Sequence, residues 1–451
     1  MLQATRSGAG GRVFRLLIGA LILVSAAVQF ALVPVMPVYA HRFGLSGFEE
    51  GMVLGATGLA TLVVSVPAGT LSDRFGPRRI TLAAGLLMAA AAAAQALAGS
   101  FPVLLAARLG FGAGYGMVWT AGLCWLAGAA AGGPPALGGS VAAAGVGGVA
   151  GPAVSGALAQ HVGLGVPLLA AAAGFGVITA GLAVLRVPSG PATPRAGKLP
   201  GLRSVTVDRN LIGAAAAVVT AGLSTGVCAL LVPQLLHAAG DSPGRIGLDF
   251  AVSGILFAVG SALTAAAGRR AVNLPVTCGG MLVVAAALTP AVIGASPLAL
   301  VAMLCVTTAA RSVLWTVSYS LAASAGQHAT APVGASQGNT APAGTRQSTT
   351  APVGARQGDT APVGASQGNS GLGASIGLLN VIWAATAVLG PLGAGLAAGR
   401  LGAGAAFGLT QVACVAALAV TVAMMWRGRR PRIGARPEEL SLATQQPARH
   451  G

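Results

Sequence analysis

The sequence predicts an all-α membrane protein with twelve transmembrane helices, arranged as two pseudo-symmetric bundles of six. Three observations lead to this fold class. Hydrophobic residues make up 55% of the chain and charged residues only 8%, and the mean hydropathy is +0.79. No Asp, Glu, Lys or Arg occurs between Leu109 and Leu185. Apolar segments of about 20 residues, long enough to cross the hydrocarbon core, recur along the chain.

The first bundle is predicted over residues 14–186, after a short basic cytoplasmic tail at 1–13. Its six spans are expected at 14–38, 49–71, 80–99, 103–128, 138–160 and 165–186. A cleaved signal peptide is the alternative for the first span, since Val38-Tyr39-Ala40 is typical of a cleavage site. The apolar stretch exceeds the roughly 7–15 residues of a signal-peptide core, so a membrane span is favoured.

A polar linker, residues 187–210, is predicted to join the bundles on the cytoplasmic side. Its prolines and basic residues are unsuited to a membrane helix. The second bundle follows over residues 211–426, and a basic cytoplasmic tail, 427–451, ends the chain. The spans of the second bundle are expected at 211–234, 246–267, 273–293, 298–324, 372–397 and 403–426.

A long repeat predicts that the two bundles are equivalent halves. Gly151-Pro152, Gly156, Gly163 and Gly165 recur 239 residues later as Gly390-Pro391, Gly395, Gly402 and Gly404. This offset places the fifth and eleventh spans in corresponding positions.

A second, short repeat consists of decapeptides that start at Thr330, Thr340, Thr350 and Thr360. Gly, Pro, Ser, Thr and Gln dominate it, and such a composition cannot bury a core. Residues 326–370 are therefore predicted to form a disordered cytoplasmic insert between spans 10 and 11. A docking segment for a partner is the alternative.

The basic residues predict the orientation. The formal net charge is +17, but the basic residues are dispersed over loops and tails, which argues against a nucleic-acid partner. With alternating spans, 21 of the 26 basic residues fall on the side that holds both termini. The positive-inside rule then predicts a multi-pass plasma-membrane protein with both termini in the cytoplasm.

A charged hairpin separates the second and third spans. It runs Gly69-Thr70-Leu71-Ser72-Asp73-Arg74-Phe75-Gly76-Pro77-Arg78-Arg79 and resembles the loop 2–3 signature of the major facilitator superfamily of secondary transporters. The resemblance, closest to the twelve-helix drug–proton antiporters, implies two bundles around a central site and no cofactor beyond a proton gradient. It also implies a conformational latch of Gly69, Asp73, Arg74, Gly76, Arg78 and Arg79, with Asp73 near the start of the eleventh helix. Turn formation and topology alone are the alternative role.

Two further segments resemble motifs of that superfamily. Leu104-x-x-x-Arg108-x-x-x-Gly112 is similar to a fourth-helix motif whose arginine is implicated in proton coupling. An arginine within a membrane span faces a cavity or partner by default, although Arg108 can also extend toward the nearby surface. Gly147, Gly151, Pro152 and Gly156 are similar to a fifth-helix motif associated with antiporters, with Ser155 where glycine is usual. Small-residue packing is the alternative, and Gly390, Pro391 and Gly395 are the equivalents in span 11.

The proton-coupling group is not apparent from the sequence, because the first span has no acidic residue. The candidates are Glu49, Glu50 and Asp249 near the ends of spans 2 and 8, each of which can instead be a solvated residue at the start of a helix. Arg311 is a second intramembrane arginine and a candidate for lining a cavity. Five aromatic residues are candidates for lining a substrate site or for packing, namely Trp119, Trp125, Trp315, Tyr319 and Trp383.

The resemblance to drug–proton antiporters implies proton-coupled efflux of a small, mostly hydrophobic or drug-like compound by alternating access, and a monomer is expected. Uptake or facilitated diffusion on the same fold is the first alternative, and a membrane sensor or assembly protein without transport is the second. The sequence shows no paired carboxylates, nucleophile–base set or metal-binding cluster, so an enzyme is not expected. The expected partners are the lipid bilayer, the transported small molecule and protons.

Overall fold

The computed structural model describes residues 2–129, 134–185, 208–328 and 370–427, and within these ranges every regular element is a helix. Spans 1–6 have the bounds Leu2–Ala31, Gly47–Phe75, Pro77–Ala96, Phe101–Ala129 (in three consecutive segments), Pro134–His161 and Val166–Val184. Spans 7–12 have the bounds Arg209–Ala238, Pro243–Ala267, Leu274–Val292 (interrupted at Leu288), Pro297–His328, Ser370–Leu401 and Ala403–Arg427. A short helix, Met36–Phe43, follows span 1.

Twelve helices in the described part of the chain are long and apolar enough to cross a membrane, which confirms the predicted fold class. Most predicted boundaries lie within a few residues of the observed ones. Helix 1 begins earlier than expected, because it continues through the predicted tail to Leu2. The predicted end of span 1 at residue 38 was wrong, since the helix stops at Ala31 and a separate short helix starts at Met36. The linker at 187–210, the insert at 326–370 and the tail at 427–451 lie largely outside the described residues.

The turn between spans 2 and 3 shows why these helices end where they do. Gly76 has a φ of 85°, in a region that side chains with a Cβ avoid. Pro77 is the first residue of the next helix, where a missing N–H costs no hydrogen bond. Gly76-Pro77 therefore forms the tight turn that the sequence predicts.

Contacts between helices fix their directions. Gly147 and Gly151 of span 5 pack against the backbones of Leu23 and Ala27 of span 1, so these two helices run in parallel. Because consecutive spans alternate, residues 43–47, 161–166, 238–243 and 401–403 lie at one end of the bundle, which we call the far end. The opposite end holds the start of span 1 and the end of span 12, and we call it the terminal end.

The two halves repeat the same packing. In the first half, Gly151 of span 5 contacts Ala27 of span 1, and a Cβ at Gly151 would overlap the Ala27 backbone. In the second half, Gly390 of span 11 lies 3.1 Å, measured from an ideal Cβ position, from the Cα of Gly226 in span 7. Close helix approach of this kind requires small residues. The residues of the 239-residue repeat therefore hold equivalent helix pairs together.

Candidate functional site

The halves meet at the far end through two helix pairs, and the first of these joins spans 2 and 11. A Cβ on Gly51 would lie 2.5 Å from the backbone oxygen of Pro391. A Cβ on Gly395 would overlap the backbone oxygen of Gly47. These are backbone-to-backbone contacts, so the two helices touch without intervening side chains.

Spans 5 and 8 form the second pair. A Cβ on Gly156 would overlap the backbone oxygen of Pro243, and one on Gly247 would overlap that of Pro152. The backbone N–H of Gly244 donates to Oε1 of Gln160 at 3.2 Å. Of the four residues of the predicted span 5 motif, Gly156 and Pro152 therefore face the other half. Gly147 and Gly151 face span 1 of their own half.

Glu50 also connects the halves at the far end. Its side chain is buried, with 5% exposure, and its Oε2 accepts a hydrogen bond of 2.5 Å from Nε2 of Gln234 in span 7. A solvated position at the start of a helix was the alternative for this residue, and the structure instead places its carboxyl between the two halves.

Glu49, the neighbouring candidate, has a different environment. Its Oε2 accepts bonds of 2.8 Å from both the backbone N–H and the hydroxyl of Ser46. The Ser46 hydroxyl in turn accepts from the backbone N–H of Glu49. This is a capping box, which satisfies free donors at the start of a helix. Glu49 is therefore a partly exposed helix cap, and a coupling role for it stays a prediction.

Asp249, the third acidic candidate, lies on span 8 and is buried. Its Oδ1 is 3.8 Å from Nε of Arg245, one helical turn earlier. Its Oδ2 is buried and has no hydrogen-bond partner among the described residues. Asp249 is thus held by a cation of its own helix rather than by the other half.

Arg108 is buried, with 1% exposure, and binds the end of span 1. Its Nη1 donates to the backbone oxygen of Val28 at 3.1 Å, and its Nη2 donates to that of Gln29 at 2.6 Å. The guanidinium also lies 5.5 Å from the ring centroid of Phe111. Its partners are helix-terminal carbonyls, which carry partial negative charge.

The remaining terminal carbonyls of span 1 have partners as well. The last four C=O groups of a helix have no partner within it. Here the backbone N–H of Val33 donates to Phe30 at 3.1 Å, and the Ser155 hydroxyl donates to Ala31 at 2.6 Å. The helix cannot continue regularly because Pro34 lacks an N–H. Arg108 and Ser155, from spans 4 and 5, therefore hold the broken end of span 1.

Arg311 is the buried arginine of the second half, on span 10, and lies about two helical turns farther from the start of its span than Arg108 does. It is 9% exposed. Its Nη1 donates to the Thr225 hydroxyl of span 7 at 2.5 Å, and its Nη2 donates to the Thr308 hydroxyl at 2.8 Å. Span 10 is thus tied to span 7 as span 4 is tied to span 1. Here, however, both partners are hydroxyl groups without net charge.

Aromatic residues continue along the same face of span 10. Trp315 and Tyr319 follow Arg311 at intervals of four residues, and their ring centroids are 5.2 Å apart. The ring of Trp383 on span 11 lies 5.9 Å from that of Trp315, and the Tyr319 hydroxyl donates to Oδ1 of Asn380 at 2.8 Å. Spans 7, 10 and 11 therefore share one surface that combines a cation, hydroxyls and rings.

The other two tryptophans have different positions. Trp125 is fully buried against Phe14, with ring centroids 4.7 Å apart, so it is a core residue. Trp119 lies in a π-helical turn, Val118–Gly122, that interrupts span 4. Such turns are frequent at functional sites, and no sequence signal was available to predict this one.

The described contacts of the charged hairpin at the terminal end are made within its own half. Nη2 of Arg78 donates to the backbone oxygen of Ala183 at the end of span 6, at 2.7 Å. Arg74 lies 5.2 Å from the ring centroid of Phe75. Asp73 and Arg79 are exposed, and no ion pair involves Asp73 within the described ranges.

The structure does not describe the side chains at 370–377. The predicted contact of Asp73 with the start of span 11 therefore lies outside the described residues. The latch therefore stays a prediction. An ideal Cβ at Gly69 would lie 3.9 Å from Cγ2 of Thr120 in span 4, which leaves room for a side chain.

Comparison with known proteins identifies relatives of this fold. The family model for the Major Facilitator Superfamily matches residues 18–341. A bacterial homologue of the human lysosomal transporter Spinster, solved inward-facing and unoccupied, has a TM-score of 0.71 at 14% identity and covers 94% of this chain and 99% of that one. The nucleoside transporter NupG has a TM-score of 0.65 at 11% identity, with coverages of 91% and 99%.

Curated relatives match over shorter segments. The arabinose-proton symporter of Bacillus subtilis (strain 168) is 37% identical over 95 residues, 21% of this chain and 20% of that protein. The quinolone resistance protein NorA of Staphylococcus aureus is 33% identical over 86 residues, 19% of this chain and 22% of that protein. These matches span about a fifth of the relatives' length.

Proposed function

The chain belongs to the Major Facilitator Superfamily and is a membrane transporter rather than an enzyme, and we propose that it exports a small hydrophobic or drug-like compound by proton-coupled alternating access. The match to a quinolone resistance protein supports export of such compounds. The excess of basic residues on the terminal side supports a cytoplasmic location for that end. The far end would then face outward, and its closure would make this an inward-facing state.

The observation that carries the proposal is the closure of the far end. Two helix pairs meet there through glycine backbones, and two hydrogen bonds, Gln234–Glu50 and Gly244–Gln160, cross between the halves. Surfaces without large interlocking side chains can separate as rigid bodies with little repacking. Such closure of one end between two rigid halves is what alternating access requires.

Glu50 is the proposed proton-coupling group. Its carboxyl is buried between the halves in the closed state and would meet water once the far end opened. A group whose surroundings change between two states binds its proton with different affinity in each, so protonation and conformation are linked. The other charged or titratable groups at this end are Tyr39, His41, Arg42, Glu49, Asp241, Arg245, Asp249, His161, His237 and Arg400.

Transport into proteoliposomes under an imposed pH gradient tests this proposal, with a labelled quinolone as the transported compound. Glu50→Gln keeps a hydrogen-bonding side chain but cannot titrate. We expect it to reduce transport to the rate seen without a pH gradient, because an amide cannot bind and release a proton.

Glu49→Gln is the matched control on the adjacent residue. It keeps the capping box, because the third helical position of that motif accepts Glu or Gln, and we expect near-normal transport. Equal transport by the Glu50→Gln variant and the unaltered protein would show that Glu50 does not couple proton movement to the cycle.

Uptake or facilitated diffusion is the second candidate. It is favoured by the absence of any acidic residue in span 1 and by the match to a sugar–proton symporter. In the same vesicles, facilitated diffusion would persist when the pH gradient is collapsed. Proton-coupled uptake would reverse the direction of gradient that accelerates transport.

A further inference from the structure

Arg311 is a buried cation whose described partners are all neutral. Its two hydrogen bonds go to the hydroxyls of Thr225 and Thr308, and its Nε has no partner among the described residues. Thirteen peptide steps separate Thr225 from the far end of span 7 at Ala238, about 20 Å at 1.5 Å per residue. The guanidinium therefore lies deep in the bundle, where an arginine is costly without a compensating group.

Arg108, in the other half, shows how the charge of a buried arginine can be compensated. Its guanidinium donates to two carbonyls at the end of a helix, where the helix dipole places partial negative charge. The two threonine hydroxyls of Arg311 provide no such charge. The two buried arginines thus differ in electrostatic balance, and Arg311 is the one whose described partners lie away from any helix end.

The described carboxyl groups cannot supply a compensating anion, because all of them lie near the ends of helices. They are Glu49, Glu50, Asp73, Asp208, Asp241 and Asp249. The ion pair found among the described residues joins Arg245 and Asp249 at the far end. The middle of the bundle therefore carries net positive charge, which attracts anions and repels cations.

The surroundings of Arg311 indicate what kind of anion would fit. Trp315, Tyr319 and Trp383 lie between Arg311 and the terminal end, and each of the three is partly exposed. Asn380, next along span 11, is exposed, and an amide at this depth faces protein or water rather than lipid. The three aromatic side chains are thus partly accessible on the terminal side of the contact between spans 2 and 11.

We propose that Arg311 is the anion-binding group of the transport site and that the substrates are flat aromatic compounds with a carboxylate or similar planar anion. The guanidinium fork matches a carboxylate bidentately, and the threonine hydroxyls are partners that an incoming carboxylate can replace or join. The rings of Trp315 and Trp383 would hold the aromatic body. This inference rests on the proposed transport function, whose substrate class it specifies.

Binding to the purified full-length protein in nanodiscs of zwitterionic lipid tests the inference without requiring transport. Equilibrium dialysis compares three probes with the same ring system, namely 2-naphthoate, 2-naphthamide and 2-naphthylmethylammonium. We expect 2-naphthoate to bind about tenfold or more tightly than the amide, as one charge-assisted hydrogen bond suffices for that, and the ammonium probe to bind least.

Variants identify the side chains that cause the preference for 2-naphthoate over 2-naphthamide. Arg311→Gln is expected to remove the tenfold advantage of 2-naphthoate while binding of 2-naphthamide is retained. Arg311→Lys should give an intermediate value, because it keeps the charge and loses the fork. Trp315→Leu should weaken both probes alike. Arg400→Gln removes an exposed cation at the far end and should change nothing.

The inference is overturned if the unaltered protein binds 2-naphthoate no better than 2-naphthamide, a comparison that needs no variant to fold. It is also overturned if Arg311→Gln keeps the advantage. Selective binding of 2-naphthoate without gradient-driven transport would instead contradict the proposed function and leave the anion site standing. Gradient-driven transport without a preference for 2-naphthoate would support the proposed function and contradict the anion site.

Discussion

The two ends of the bundle use polar and small residues in opposite ways. At the far end, glycine backbones and the Glu50–Gln234 hydrogen bond join one half to the other. At the terminal end, the arginine-rich hairpin binds within its own half, where Arg78 reaches the last turn of span 6. Arg78 of the most conspicuous charged motif therefore stabilises a half, whereas the described contacts between the halves at the far end involve residues that carry little charge.

This difference suits a two-state transporter. A bistable interface has to separate and re-form with a modest free-energy gap between its states. Backbone contacts at glycines and a carboxyl–amide bond meet that need, whereas a dense ion-pair network would be harder to open. Each half, in contrast, has to stay rigid, and hydrogen bonds such as those of Arg78 and Arg108 within the first half serve that purpose.

The largest effect is expected at the far end, from Gly395→Ala. The added Cβ would overlap the Gly47 backbone oxygen, and overpacking of this kind costs about 1–3 kcal/mol. The equilibrium should therefore shift about 5–150-fold away from the closed far end, with a matching loss of transport in proteoliposomes.

Gly393→Ala is the control for this change, two residues away on the same helix. Nothing lies within 4 Å of a Cβ at Gly393, and alanine improves helix propensity by about 1 kcal/mol. Near-normal transport is expected. Equal effects of the two variants would mean that the close approach of spans 2 and 11 is irrelevant to the cycle.

A smaller effect of another kind is expected at the terminal end, from Arg78→Ala. Loss of the hydrogen bond to Ala183 should lower the free energy of unfolding by about 1–2 kcal/mol, measured by thermal unfolding in nanodiscs. The balance between facing states should stay unchanged, because this bond lies within one half.

Arg79→Ala serves as its control, since Arg79 is exposed beside Arg78, and it should leave stability within about 0.5 kcal/mol. If Arg78→Ala instead altered which end is open, the hairpin would join the halves after all. The two ends would then not differ in the way described.

Much of the fold was predictable from the sequence because membrane spans follow from length and hydropathy alone. The 239-residue repeat also identified the helices that occupy equivalent positions. Pro34 in the sequence indicates the break after span 1. The spacing Ser46-x-x-Glu49 indicates the capping box at the start of span 2. Both were recoverable from local spacing.

The contacts between helices were not predictable in the same way. Spacing along a helix shows which residues share a face, but not which other helix that face meets. Glu49 and Glu50 are adjacent and chemically similar, yet one caps its own helix and the other binds Gln234 in the opposite half. The partners of Arg311, Thr225 and Thr308, are ordinary intramembrane threonines with no sequence signal of their role.

The most direct test of alternating access is the distance between spans 2 and 11 across the far end. Phe48 and Leu396 are exposed there at 43% and 42%, so spin labels on cysteines at these positions, in a background without the five native cysteines, can report it. Pulsed electron resonance in nanodiscs would then be recorded at varied pH, with and without the quinolone. The account predicts a short distance between the two labels, and a second, longer distance that becomes populated when the pH is changed or the quinolone is added. One short distance under every condition would contradict it.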